Sequence, residues 1–112
     1  MKSMNKVDLI GRVATKIEVK ESKNKKKYVR FRIAVNSFNG REETTTFLSV
    51  ITWSKSTVDF LEKFVNIGDL VSVSGEIVES RYESESGEVR YYTNIQTSNI
   101  NLLNKAKEKE IS

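Results

Sequence analysis

The chain has 112 residues, 38% of them apolar and 30% charged, with a net charge of +4, which is the make-up of an ordinary one-domain protein able to build its own core. It contains no cysteine and no histidine, which excludes disulfides, thiolate or imidazole zinc sites and the commonest catalytic base. The charge is uneven: residues 1–41 carry 12 Lys/Arg against 3 Asp/Glu, and the remainder 7 against 12, so one face is expected to be far more basic than the total, as suits a phosphate-bearing partner.

Residues 1–6 are polar and no apolar signal core follows them, so no export is expected. The longest apolar-rich stretch, 47–53, is far below the roughly 18 residues of a membrane span. Period-two alternation predicts a first strand over about 5–20, with Gly11 and Val13-Ala14-Thr15 as the place to bend. A lysine-rich loop, 21–26, leads to a second strand over 27–37. Val29, Phe31, Ile33 and Val35 share one face of it, and Tyr28, Arg30, Arg32 and Asn36 the other. That pattern reads as apolar core inside, basic and aromatic surface outside. The lysines of the loop also fit a merely solvated turn.

Phe38 leads into a turn at Asn39-Gly40, a pair suited to positive φ. A third strand is predicted over 44–53, with Phe47, Ser49, Ile51 and Trp53 on one side and Leu48, Val50 and Thr52 on the other. Both sides are partly apolar, so periodicity leaves open whether it is buried twice or offers a ligand platform. Val58, Leu61 and Val65, widened by Phe60 and Phe64, switch to helical spacing and predict one short amphipathic helix over 57–65. Ser56 or Thr57 is the expected N-cap, Asp59 suits the first turn, and Asn66 or Gly68 is the expected end. A fourth strand follows over 70–82, a hairpin loop at 83–88, and a fifth strand from 89 to about 97 that leads on to 100–103. Residues 105–112 alternate in charge and read as a short flexible tail beyond a domain of residues 1–104.

The order β-β-β-α-β-β makes the chain all-β with one short helix. It is the layout of the OB-fold, a five-stranded Greek-key barrel with its helix between strands 3 and 4, which commonly binds oligonucleotides. An SH3-like barrel and a small sandwich share much of this pattern.

At this point the residues resemble a known family, the bacterial single-stranded DNA-binding proteins. Met4-Asn5-Lys6-Val7-Asp8-Leu9-Ile10-Gly11-Arg12-Val13 is similar to the family's opening, and Phe31-Arg32-Ile33-Ala34-Val35-Asn36 to its second strand. Phe47-Leu48-Ser49-Val50-Ile51-Thr52-Trp53 resembles the aromatic third strand, residues 64–75 the segment that ends in Gly75, and residues 82–93 the hairpin. The resemblance covers about 4–103. It implies an OB-fold subunit, usually a homotetramer, that coats and protects single-stranded DNA in replication, recombination and repair in the bacterial cytoplasm, or acts there for a phage or plasmid. It also implies that Phe38, Phe47, Trp53 and Tyr82 stack on bases, which turns Phe47 and Trp53 of the third strand towards DNA and Leu48 and Val50 towards the core. Family members often carry tryptophan where this chain has Phe47 and Tyr82, so its stacking area is smaller. They usually continue into a flexible linker and an acidic tip that recruits partner enzymes. Neither is found after residue 104, as expected of a shortened chain or of an accessory, plasmid or phage member.

Stacking on aromatic faces plus phosphate neutralisation is the mechanism these residue types support. Lys6, Arg12, Lys27, Arg30, Arg32, Lys55 and Arg81 are the candidate phosphate contacts. No cofactor and no metal is called for. Two other classes use the same fold. Asp8 with Glu18 and Lys20 resembles a nuclease's cation-holding carboxylates, a pattern that a chain this rich in charge produces by chance. An adaptor of a replication-restart complex would instead bind a helicase or primosome protein tightly and DNA weakly. The aromatic positions favour the DNA-binding reading, and no enzyme is expected.

Overall fold

Residues with alternating character form the interior here, and β-branched and aromatic side chains make the strands long. The computed structural model describes residues 3–106, the side chain of Tyr82 excepted. Its elements are β1 (Val7–Val13), β2 (Val19–Glu21), β3 (Lys27–Phe38), β4 (Glu43–Thr52), α1 (Lys55–Phe64), β5 (Leu70–Glu83) and β6 (Val89–Asn104). Among these elements no helix is long and apolar enough to cross a membrane.

β1 pairs antiparallel with β5, β5 with β6, and β6 runs parallel to β4 at Val50↔Ile95 and Ile51↔Gln96. β4 pairs antiparallel with β3, which returns to β1 at Arg12↔Ala34 and Val13↔Ile33. These pairings close a circuit of five strands, with β2 added along β3. The circuit and the helix between β4 and β5 are those of the OB-fold. The first expected strand is split, so there are six strands rather than five. At the bend Ala14 N–H donates to Arg32 O at 2.8 Å, and Arg32 N–H donates to Thr15 Oγ1 at 2.8 Å. A side-chain oxygen replaces the backbone acceptor that a continuous strand would have supplied, and the ladder is interrupted there.

Val13, Val29, Phe31, Ile33, Val50, Val71 and Val73 are buried from the strands, and Val58, Leu61 and Val65 close the cluster from the helix and its end. Each such side chain stabilises the fold by roughly 1.5–3 kcal/mol through apolar burial. β1 approaches β3 where a Cβ on Gly11 would stand 2.7 Å from the carbonyl oxygen of Ala34, so this junction needs the missing side chain. Gly75 sits at a register shift between β5 and β6, and a Cβ there would collide with the carbonyl oxygen of Gln96. Asn5 extends the β1–β5 ladder with its side chain: its amide donates to Ile77 O at 2.7 Å and accepts from Ile77 N–H at 2.9 Å.

The helix starts two residues earlier than its apolar stripe suggests. Its N-cap is Ser54, not Ser56 or Thr57, and Ser54 makes no side-chain cap because its hydroxyl pairs with that of Ser56 at 3.2 Å. Asp59 therefore falls beyond the first turn, which holds no acidic residue. Val65 is the C-cap.

Two residues of the expected tail, Lys105 and Ala106, are hydrogen-bonded to the domain. Asp69, 1% exposed, accepts from Asn66 N–H at 2.8 Å, from Ala106 N–H at 2.7 Å and from Lys105 Nζ at 3.1 Å. Lys105 Nζ also donates to Phe64 O at the end of α1, at 2.8 Å. Burial pushes the Asp69 carboxyl up, but the hydrogen bonds from Ala106, Asn66 and Lys105, with the lysine's charge, outweigh it and hold the carboxyl below its usual value. The remaining tail residues, 107–112, lie outside the described residues.

Candidate nucleic-acid interface

Because β3 and β4 pair in register from Val29↔Thr52 to Phe38↔Glu43, each β3 residue shares a face with its partner on β4. The inner rows are Val29 with Thr52, Phe31 with Val50 and Ile33 with Leu48. The outer rows are Arg30 with Ile51, Arg32 with Ser49, Ala34 with Phe47, and Phe38 with Glu43. Phe38, Phe47 and Trp53 are exposed by 72%, 50% and 42%. Phe47 and Trp53 are six residues apart on one strand side, roughly 20 Å at the usual rise. Ile51, between them on the outer side, is 5% exposed, so β4 is exposed over its first half and buried on both sides over its last three residues, Val50, Ile51 and Thr52, before Trp53 opens to solvent again.

Arg32 is the centre of this face. Its guanidinium lies 5.5 Å from the centroid of the Phe47 ring and its Nη2 donates to Phe47 O at 3.3 Å. A cation over an aromatic face at this range is attracted by the ring quadrupole, and the contact fixes a positive charge beside a ring with a free side. Arg12, in register with Ala34, extends the same row onto β1. Its Nη1 donates to Gly68 O at 2.9 Å, which turns the guanidinium towards the loop before β5.

At the other end of the face the Tyr28 and Trp53 rings pair, with centroids 4.6 Å apart and planes inclined by 35°. Alternation alone places Tyr28 on the outer face and gives it no role; the pairing depends on the β3–β4 register, which the sequence does not disclose. Lys20 stands in register with Tyr28 on the far side. Beside Trp53 a concavity of about 380 Å³ is lined by Lys25, Lys27, Lys55, Val58 and Asp59. Lys27 and Lys55 were expected near phosphate, and Lys25 was not singled out.

The remaining candidates are not gathered here. Lys6 precedes β1 and pairs with Asp8 at 3.8 Å on an exposed surface. Arg81 stands on β5 in register with Tyr91, and position 82 is in register with Arg90. The Tyr82 side chain lies outside the described residues. The nuclease candidates are also dispersed. Asp8 accepts from Ser74 Oγ at 2.7 Å on the β1–β5 ladder, while Lys20 belongs to the β2–β3 ladder. Among the described residues no group of three or more acidic, histidine or cysteine side chains is arranged to hold a metal.

The model of the single-strand binding protein family matches residues 4–103. The chain belongs to that family. It is 32% identical over 108 residues to single-stranded DNA-binding protein 2 of Streptococcus agalactiae serotype III, covering 94% of this chain and 81% of the relative. It is 31% identical over 111 residues to the single-stranded DNA-binding protein of Lactiplantibacillus plantarum, covering 96% of this chain and 54% of that one. Among solved structures, the Plasmodium falciparum SSB complex with ssDNA superposes with a TM-score of 0.80 at 24% identity, covering 93% of this chain and 98% of the other. That likeness concerns the fold.

Proposed function

We propose that the chain binds single-stranded DNA without sequence preference, along the outer face of β3 and β4. Membership of the family gives the ligand class. The observation that carries the location is the Arg32–Phe47 pair, which sets a fixed cation beside a half-exposed ring. Bases stack on Phe38, Phe47, Trp53 and Tyr82, and Arg12, Lys27, Arg30, Arg32 and Lys55 neutralise phosphates; Lys6 and Arg81, which stand away from this face, meet phosphates only where the strand continues past it. Stacking is worth about 1–3 kcal/mol per base and tolerates any base, because every base has a π-face. Duplex DNA hides those faces, so the surface selects unpaired strands.

The role is that of coating and protecting exposed strands during replication, recombination or repair in a bacterial cytoplasm, without catalysis. The subunits assemble as a homotetramer. In support, β1 reaches β3 only at Arg12 and Val13, so one edge of Val7–Gly11 is unpaired among the described residues. An open edge of this kind is covered readily by another strand, and Ile10 on it is exposed.

Anisotropy of labelled oligothymidine, with a duplex control and a salt series, tests the reading. The single strand alone should bind, and Phe47→Ala should weaken binding by about 1–3 kcal/mol. Equal affinity for duplex, or an unaltered Phe47→Ala variant, would contradict it.

A further inference from the structure

Resting on the DNA-binding reading above, we infer that the concavity beside Trp53 is a discrete nucleotide subsite: Trp53, braced by Tyr28, is its base shelf, and Lys25, with Lys27 and Lys55, holds the adjoining phosphate. Two features of this chain support it, one at the shelf and one at the rim.

The shelf is braced. Trp53 follows the last residue of β4, where a lone ring would be free to change rotamer. Tyr28, one residue beyond the final ladder pair Val29↔Thr52, holds it by a ring contact of 4.6 Å. Binding that must first immobilise a side chain loses roughly 0.5–1.5 kcal/mol of affinity. Tyr28 is thus a positioning residue, acting through Trp53.

The rim is held by an unfavourable backbone. Lys25 has φ 61°, the only positive value at a non-glycine position among the described residues. It closes the β2–β3 turn, in which Lys25 N–H donates to Ser22 O and Ser22 N–H to Lys26 O, both at 2.9 Å. A turn of three residues with its last in the left-handed region is a common hairpin link, and glycine or asparagine is the residue it favours. A lysine there is unfavourable for folding. It does, however, place a third ammonium on the rim of the concavity, with Lys27 and Lys55 and against the single carboxylate of Asp59. Strain of this kind gathers at sites where position matters.

The two residues predict different signatures. Lys25→Gly should raise the unfolding temperature, because it relieves the left-handed backbone. It should also weaken oligothymidine binding and reduce the slope of log K against log salt by about 0.7, one phosphate contact on a single strand. Lys25→Arg should restore the slope but not the thermal gain. Tyr28→Leu should weaken binding about 2- to 10-fold and leave the salt slope unchanged. A purely structural Lys25 would change the melting temperature alone. Wild-type affinity and slope in both Lys25→Gly and Tyr28→Leu, with wild-type protein binding normally, would overturn the subsite while leaving the DNA-binding reading standing. Failure of the wild-type protein to bind single strands would overturn both.

Discussion

Removing the Asp69 carboxylate should unfasten the end of β6 from the end of the helix. In Asp69→Ala two backbone N–H groups, of Asn66 and Ala106, lose their acceptor. A hydrogen bond to a charged group contributes about 1.5–3 kcal/mol, and such neighbours are not additive. The Lys105 ion pair is discounted, since its lysine is 55% exposed and water and salt screen its charge. The expected loss is therefore about 3 kcal/mol, a large share of a typical folding free energy of roughly 5–15 kcal/mol. At about 4–8 °C per kcal/mol for domains near this size, the melting temperature should fall by roughly 12–24 °C. Thermal unfolding followed by circular dichroism measures this. Asp69→Asn, which keeps one acceptor oxygen, should lose less. The sign with pH follows from the lowered carboxyl: its stabilisation is fully present above the unfolded value of about 3.9 and is lost as pH falls through the lower folded value. The gap between wild type and Asp69→Ala should thus be full at neutral pH and shrink only in acid below that point. A melting temperature within a few degrees of wild type at neutral pH, or a gap that does not change in acid, would refute the reasoning.

Gly75→Ala should be among the most destabilising single-methyl additions, because the new Cβ meets the carbonyl oxygen of Gln96 at the β5–β6 register shift; urea unfolding should show a loss of at least about 1–3 kcal/mol, the usual range for overpacking, and a neutral result would remove the bulge from the account. Leu61→Ala, at a helix position with no exposure, should lose about 2–5 kcal/mol, read in the same titration. Arg32→Ala should lower the salt slope of DNA binding by about 0.7 and also weaken stacking on Phe47; a changed affinity with an unchanged slope would mean that Arg32 only positions the ring.

Much of this was legible because strands declare themselves by alternation. Val29, Phe31 and Ile33 identified the inner side of β3, and Arg30 and Arg32 its outer side, and the structure has them so. The bend of the first strand was foreseen at Val13-Ala14-Thr15, but its interruption depends on the Thr15 hydroxyl meeting Arg32 N–H, a contact between residues distant in sequence. The ambiguity of the third strand was real: Ile51 is buried on the same side that exposes Phe47 and Trp53. The helix start was missed because residues 55 and 56 are polar and lie outside the apolar stripe. Lys105 reads as a tail residue until Asp69, buried 36 positions away, is seen beneath it. Tyr28 and Trp53 likewise become a pair only through the register of two strands.

The central claim is that the outer face of β3 and β4 stacks unpaired bases. Trp53 is the single tryptophan of the chain, so its intrinsic fluorescence during titration with oligothymidine, at low and high salt and beside a duplex control, has one dominant source. The account predicts strong quenching by the single strand alone, requiring more DNA as salt rises. Saturable binding with no change in Trp53 emission at either salt would place the DNA elsewhere on the barrel and contradict it.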